Sequence, residues 1–238
     1  MTSSILELGY RRLEPSVVKS AIRIDLECDR KALDQSFERL VQDGQMGDEG
    51  EYRYRRYSRF RVDASPKSGS VQWSLMEGSS IHQDLEDNPL NGGVLRTYEP
   101  LETDLLENRL FRAILDHDIL CVALIDPKLF QEPVVMGVHQ VRIVARPGRV
   151  GKPTPEGIHR DAERFTMQHF WRREGITGGA FRAYNEKREL QFEVLQTEHL
   201  DSVLFEGTTW HSATPIVCSK LGQSGFRDVF LVDFDPLS

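Results

Sequence analysis

The chain has 238 residues, 39% hydrophobic and 28% charged, which is enough apolar material for one sizeable core and too much for wholesale disorder. Lys and Arg total 30 against 37 Asp and Glu, a formal charge of -7 that excludes a global attraction to nucleic acid or to an anionic membrane. Its three cysteines, Cys28, Cys121 and Cys218, lie far apart with no CxxC pair, which excludes a disulfide framework and a cysteine-based zinc site.

In chain order, the N-terminus MTSSILELGYRRLEP lacks the basic start and apolar run of a signal peptide, and no segment has the length of a membrane-spanning helix. A reducing, cytoplasmic compartment is the expectation. Residues 21–26 alternate, with Ile22, Ile24 and Leu26 on one face, and are predicted as a short strand. Leu33, Phe37, Leu40 and Val41 then share a helical stripe, with Asp29 as a cap and Gly44 as a stop. Residues 45–50 read as a loop. Residues 52–61, YRYRRYSRFR, interleave five arginines with three tyrosines and Phe60. This is either a surface for single-stranded nucleic acid or, as the acidic whole favours, a strand whose tyrosines pack while its arginines face solvent or pair with acids. Residues 64–70 and 86–93 are predicted loops.

A second helix is predicted over 104–118, with Thr103 as N-cap and Leu106, Leu110, Ala113, Ile114 and His117 on its buried stripe. His117 sits at the end of that helix in a structural or capping role. From 134 onward the texture changes to strands, at 138–146, 165–171, 181–184, 190–195, 202–205, 210–217 and 227–234, punctuated by Gly, Pro and Asn. The pattern predicts a single domain that is mainly β with flanking helices: a double-sheet jelly roll, cupin-like, over 134–236, supported by a helix-containing segment over 1–130.

Within the strand-rich part, His159 and Asp161 are two positions apart and project to one side of an extended backbone. His211, on a distant strand, completes a candidate three-ligand face. Two histidines and one carboxylate with open positions opposite form the facial triad of non-haem iron(II) oxygenases. Arg227 opens the last strand, and its guanidinium can hold a carboxylate with two parallel hydrogen bonds, which lysine cannot match. The competing reading of Arg227 is a pair with Asp228, although alternation puts the two on opposite faces. Among the other histidines, His169 shares a face with Phe165, Met167 and Trp171 and reads as core or pocket lining. His139 shares one with Val141 and Ile143 and reads as scaffold. His199 lies in an acidic turn and reads as solvated, and His82 lies in a loop.

Residues 153–161, Pro153-Thr154-Pro155-Glu156-Gly157-Ile158-His159-Arg160-Asp161, are similar to the TPEGxHRDG run of bacterial 2-oxoglutarate dioxygenases related to isoleucine 4-hydroxylase. The resemblance continues through His139-Gln140-Val141-Arg142, Gly178-Gly179, His211 with Thr214-Pro215-Ile216, and Arg227-Asp228-Val229, and more loosely through 55–60 and Gly92-Gly93. It implies a double-stranded β-helix that hydroxylates a free aliphatic L-amino acid of the isoleucine, leucine or methionine type and releases succinate and CO2. Carried over, His159, Asp161 and His211 would bind iron(II) and Arg227 would bind 2-oxoglutarate. Dioxygen would be the second cosubstrate and ascorbate a supporting reductant. Ala162 stands where the family usually has glycine, and Ala180-Phe181 where an acidic and a hydroxyl residue are usual. Both departures fall beside the expected substrate pocket.

Gln140 is a further candidate for cofactor contact, and Arg142, Arg173 and Glu156 are candidates for contact with an amino-acid substrate. The expected partner is that small molecule, with no nucleic acid and no membrane; oligomeric state is left open. Two alternatives stand beside this reading. One is an oxygenase acting on nucleic acid or protein, docked through residues 52–61. The other is a cupin-like zinc-binding protein, since His-Asp-His also holds zinc with one water.

Overall fold

The computed structural model describes residues 3–22, 27–48, 50–65, 69–82, 90 and 92–237. Helices and strands alternate in the first half: α1 (Ser3–Leu8), β1 (Tyr10–Leu13), α2 (Pro15–Ile22), α3 (Glu27–Ser36), β2 (Val41–Gln42), β3 (Arg53–Ser65), β4 (Ser70–Leu75), β5 (Ser80–His82), β6 (Leu95–Thr97), α4 (Thr103–Glu107) and α5 (Arg109–Ile125). From residue 134 the regular elements are all strands: β7 (Val134–Ala145), β8 (Phe165–Glu174), β9 (Ile176–Gly178), β10 (Phe181–Tyr184), β11 (Leu190–Val194), β12 (Ser202–Glu206), β13 (Trp210–Ala213), β14 (Ile216–Cys218) and β15 (Gly225–Pro236). No helix among the described residues is long and apolar enough to cross a membrane.

Several boundaries differ from the sequence reading. Ala21 and Ile22 close α2, with Val18 and Ile22 buried, rather than opening a strand, and 23–26 lie outside the described residues. The α3 segment ends at Ser36 and tightens into a short 3-10 turn, Phe37–Arg39. Leu33 and Phe37 bury as expected, while Val41 leaves the helix for the exposed β2. The second helix breaks at Asn108, whose side-chain oxygen accepts a 3.0 Å bond from the Phe111 amide and caps α5. It then runs on to Ile125 because the apolar stripe continues through Ile119, Val122 and Ala123. His117 is therefore mid-helix, and Thr103 is the first residue of α4 rather than its cap. Pro215 has no amide to give a ladder, and the predicted 210–217 strand splits into β13 and β14 around it.

The main sheet runs β1-β12-β8-β15-β7-β3-β2, with β4 on the outer part of β3. Its centre is β15, paired antiparallel with β7 from Gly225 opposite Ala145 to Pro236 opposite Val134. Opposite it lies a smaller layer, β11-β10-β13 and β14-β9. The two layers make the jelly roll. The main sheet crosses the boundary expected near residue 130, because β3 pairs with β7 from Arg53 opposite Ile143 to Val62 opposite Val134.

Alternation gives each long strand two destinations. Met136, Val138, Met167, Trp171, Phe230, Val232 and Phe234 face the helices and pack with Val18, Leu33, Phe37, Phe111, Ile114 and Ile119. The intervening residues face the smaller layer, where Val141, Ile143 and Val229 meet Ile176 and Ile216. Phe230 anchors the helical side, its ring centroid 5.0 Å from Phe37, 5.4 Å from Trp171 and 5.5 Å from Phe111. Phe230→Ala is expected to lower stability by about 3–5 kcal/mol, measured as urea unfolding followed by tryptophan fluorescence.

Candidate active site

A tight turn precedes the first histidine. The Gly157 amide donates to the Thr154 carbonyl at 3.0 Å, and the Thr154 hydroxyl clamps Ala213 by accepting from its amide at 3.0 Å. The chain then becomes extended and pairs with β13 through a two-way bridge, His159 N to His211 O at 3.1 Å and His211 N to His159 O at 2.9 Å. Two residues on, the Asp161 amide donates to Gly207 O at 3.2 Å. The backbone is thus fixed at both candidate ligands before Arg164 (whose amide donates to Asp235) leads into β8.

Both imidazoles are oriented from behind. His159 Nδ1 lies 3.1 Å from the Gly157 carbonyl and His211 Nδ1 lies 3.1 Å from the Thr209 carbonyl. With each Nδ1–H donating to a carbonyl, Nε2 is the atom that offers a lone pair once the ring is neutral. Each Nε2 lies 3.5 Å from a different oxygen of Asp161. Donor atoms of His159, Asp161 and His211 all fall within 4.8 Å of one another, a spacing that suits one metal ion. The side chains fit an iron(II) with open positions.

The electrostatics fit as well. Burial opposes charge on Asp161, but His211 and His159 outweigh it and pull its carboxyl down to about 2. Burial likewise opposes charge on His159, yet the hydrogen bond and charge of Asp161, joined by Glu156, push its imidazole up to about 9. Burial, reinforced by His159 and opposed by Asp161, lowers His211. The free site therefore carries one imidazolium held against a carboxylate.

These groups open onto a cavity of about 130 Å³ walled by β3, β7, β8 and β15 on one side and by Phe181, Phe205 and the 153–161 segment on the other. Arg227 enters from β15 at 2% exposure. Its Nη2 donates to Gln196 Oε1 at 2.9 Å, and its Nε has no hydrogen-bond partner among the described residues. Asp228 cannot serve it. That carboxylate points to the helical side, where Arg142 binds it at 2.7 and 2.8 Å and Arg172 at 2.9 Å. Burial, then the charge of Arg173, pulls Arg227 down to about 10, so it remains a cation at neutral pH. The double glycine clears its path: Gly178 and Gly179 have φ of +80° and +79°. A Cβ on Gly178 would come 2.0 Å from Pro215 O, and one on Gly179 would come 3.1 Å from Arg227 Cδ.

Gln140 is placed elsewhere. It occupies the helix-facing register of β7, donates to Ser36 Oγ at 2.6 Å and does not line the cavity, so its expected cofactor contact is corrected to a core hydrogen bond. Arg142 shares that face and pairs with Glu38 and Asp228. Arg173 donates to the Ile176 carbonyl at 3.1 Å. His139 lines the cavity, 2.9 Å from Asp233 and stacked on Tyr57. Burial, then Arg55 and Arg96, keeps it neutral, while burial and Asp161 push Asp233 up to about 8. His169 is core, bound to Ser202 Oγ and Asp118 at 2.7 Å each. His199 is packed edge-on against Trp171 rather than solvated, and burial pulls it down to about 4.

Sequence reasoning missed several lining residues, two of them from 52–61. Arg53 and Arg55 are 6% and 8% exposed and line the cavity together with Arg96 from β6. The signal was the alternation of Arg53, Arg55 and Tyr57 on one face, hidden by the arginine pair at 55–56. Glu163, Asp233 and Gln168 add to the polar lining, and Gln168 donates to Gln196 at 2.6 Å.

A metal must displace the proton that His159 carries below pH 9. Divalent-metal binding at pH 7 is expected to release about one proton, none above about pH 10, with affinity falling about tenfold per pH unit below 9. Calorimetry in buffers of different ionisation enthalpy measures this; equal heats in all buffers at pH 7 would contradict it.

Residues 34–233 match the profile of the family described as 2OG-Fe dioxygenase. The chain is 28% identical over 191 residues to L-isoleucine-4-hydroxylase of Bacillus thuringiensis, a match covering 78% of this chain and 75% of that protein. It is 25% identical over 149 residues to 3(1)-hydroxy-L-isoleucine 4-dioxygenase of Pantoea ananatis, covering 62% and 60%. In fold it resembles the crystal structure of a BsmA homologue from Methylobium petroleophilum, with a TM-score of 0.86, 24% identity and coverage of 98% and 90%. The family match spans most of the chain and includes the three-residue face and Arg227, and the protein belongs to the 2OG-Fe dioxygenases.

Proposed function

We propose that this dioxygenase hydroxylates a free aliphatic L-amino acid of the isoleucine, leucine or methionine type, with succinate and CO2 as co-products. His159, Asp161 and His211 hold the iron(II), and Arg227 binds the far carboxylate of 2-oxoglutarate. The observation that carries the reading is Arg227, a buried cation whose hydrogen-bond partner among the described residues is an amide oxygen and which lines the same cavity as the three-residue face. A dicarboxylate cosubstrate supplies the missing anion. Bound iron(II) with 2-oxoglutarate supplies the oxidising chemistry; the chain supplies position and a dry, closed wall. Phe181 and Phe205 exclude water on one side, and Val141, Val229 and Leu231 on the other.

The amino-acid substrate draws support from the two relatives, whose names state action on isoleucine and on hydroxyisoleucine. A cavity of this size lined by both charge signs suits a small zwitterion. Docking of nucleic acid along 52–61 finds less support, since Arg53 and Arg55 are buried in the cavity wall and Arg56 donates to the Pro100 carbonyl at 3.0 Å. A cytoplasmic setting accords with three free cysteines.

The test is a succinate-release screen against the twenty common amino acids, with mass detection of one added oxygen. Turnover of an aliphatic member is expected, and none above the substrate-free background would overturn the substrate assignment. Asp161→Ala should abolish turnover while circular dichroism stays unchanged. Arg227→Met should raise KM for 2-oxoglutarate by about 10- to 100-fold with metal affinity retained; an unchanged KM would remove Arg227 from the cosubstrate site.

A further inference from the structure

Glu156 is the one acid of the 153–161 segment, other than Asp161, and its side chain is 8% exposed. Its Oε1 lies 3.2 Å from His159 Nε2, the nitrogen that faces Asp161. Its Oε2 is buried with no hydrogen-bond partner among the described residues. With His159 Nε2 given over to a metal, Oε1 loses its donor too, and a whole carboxylate stands open beside the metal face.

The counterpart is on β3. Arg53 and Arg55 line the same cavity; the Nε of Arg53 is buried without a hydrogen-bond partner among the described residues, and that of Arg55 has only the Asp43 carboxylate, beyond hydrogen-bond reach. Arg53 is tied back by one Nη2 bond to the Pro153 carbonyl. Arg55 has Asp43 at 3.8 Å and the Tyr98 ring 4.9 Å from its guanidinium carbon. Neither comes within ion-pair distance of Glu156 among the described residues, although the charge of Glu156 acts on both. Buried charges of opposite sign, each with an unsatisfied polar atom and held apart across a cavity, are costly unless a ligand joins them. Arg227 does not compete for this role, since it lies two strands away in the same row of the sheet: Arg53 and Arg227 both stand opposite Ile143.

We propose that Glu156 and the Arg53–Arg55 pair form a two-signed cradle in which Glu156 accepts the ammonium of the substrate and the guanidinium pair binds its α-carboxylate. The cradle rests on the amino-acid reading above and sharpens it: both ends of the substrate must be unblocked. The aliphatic side chain is left the wall of Ile81, Val141, Val229 and Leu231.

The experiment takes the best amino acid from the screen, its N-acetyl derivative and its primary amide. Binding to the full-length protein loaded anaerobically with iron(II) and 2-oxoglutarate is measured by calorimetry, and KM and kcat are measured in air. In the wild type both derivatives are expected to bind at least about tenfold more weakly than the free amino acid. Glu156→Gln should raise KM for the amino acid at least about tenfold and erase the discrimination against N-acetylation, and Arg55→Lys should weaken discrimination against the amide. Equal wild-type binding of the blocked derivatives overturns the cradle without any variant needing to fold. So does a Glu156→Gln effect confined to metal affinity, or an Arg55→Lys effect confined to KM for 2-oxoglutarate. Wild-type protein that turns over no amino acid overturns the functional reading as well, whereas turnover with unmoved KM in both variants overturns the cradle alone.

Discussion

Each long strand of the main sheet faces two interiors at once, and this constraint decides what neighbouring residues must be. On β7, Gln140 serves the helices and His139 the cavity. On β8, His169 reaches Asp118 of α5 while Gln168 lines the cavity. On β15, Asp228 closes an ion network beside α3 while Arg227 turns inward. A slip of one residue would exchange the two sets and put every catalytic candidate of the sheet into apolar core. The long pairing of β15 with β7 on one side and β8 on the other holds the register, with one irregularity between Asp228 and Val229.

The candidate metal face and the candidate cosubstrate anchor come from opposite layers. His211 belongs to β13 in the small layer and Arg227 to β15 in the large one. Their separation is set by side chains packed between the layers. Phe205 lies 4.5 Å from the His211 ring, and Phe181 lies parallel to it at 6.0 Å. Gly178 and Gly179 permit the close approach of the 176–180 segment to Pro215 and to the Arg227 stem. The double glycine thus seats a bulky cation under a short strand pair, and its meaning is steric.

The jelly roll was legible from 134 onward because period-two patterning survives there with clear turn residues between strands. The candidate three-residue face was legible because His159 and Asp161 share one side of an extended backbone. Helix ends were less so: the break at Asn108 depends on a cap, and the exit at Phe37 on packing against Phe230 and Trp171. Gln140 was misplaced because alternation orders residues relative to one another without saying which face is which. His139 and Gln140 were correctly separated, and the faces were assigned in reverse. The arginines of 52–61 followed from a composition argument that treats charge as surface, and such an argument fails where a polar cavity is the destination.

That failure bears on how the cavity is held together. Ion pairs elsewhere close on themselves: Asp228 takes two arginines, and Glu38 takes the same two from the solvent side. Arg227, one residue away at similar burial, has an amide oxygen instead of a carboxylate. Gln196 is in turn bound by Gln168 and donates to the Asp201 carbonyl at 2.6 Å, so its oxygen is oriented without bringing a charge. A carboxylate at position 196 would neutralise Arg227 and stabilise the empty protein, at the expense of any anion that must bind there. An amide aims the guanidinium and leaves its charge available. The same logic distinguishes a cavity built for ligands from a core that happens to be polar: in the first, the groups are positioned by neutral or backbone partners, and their charges are left to be met from outside.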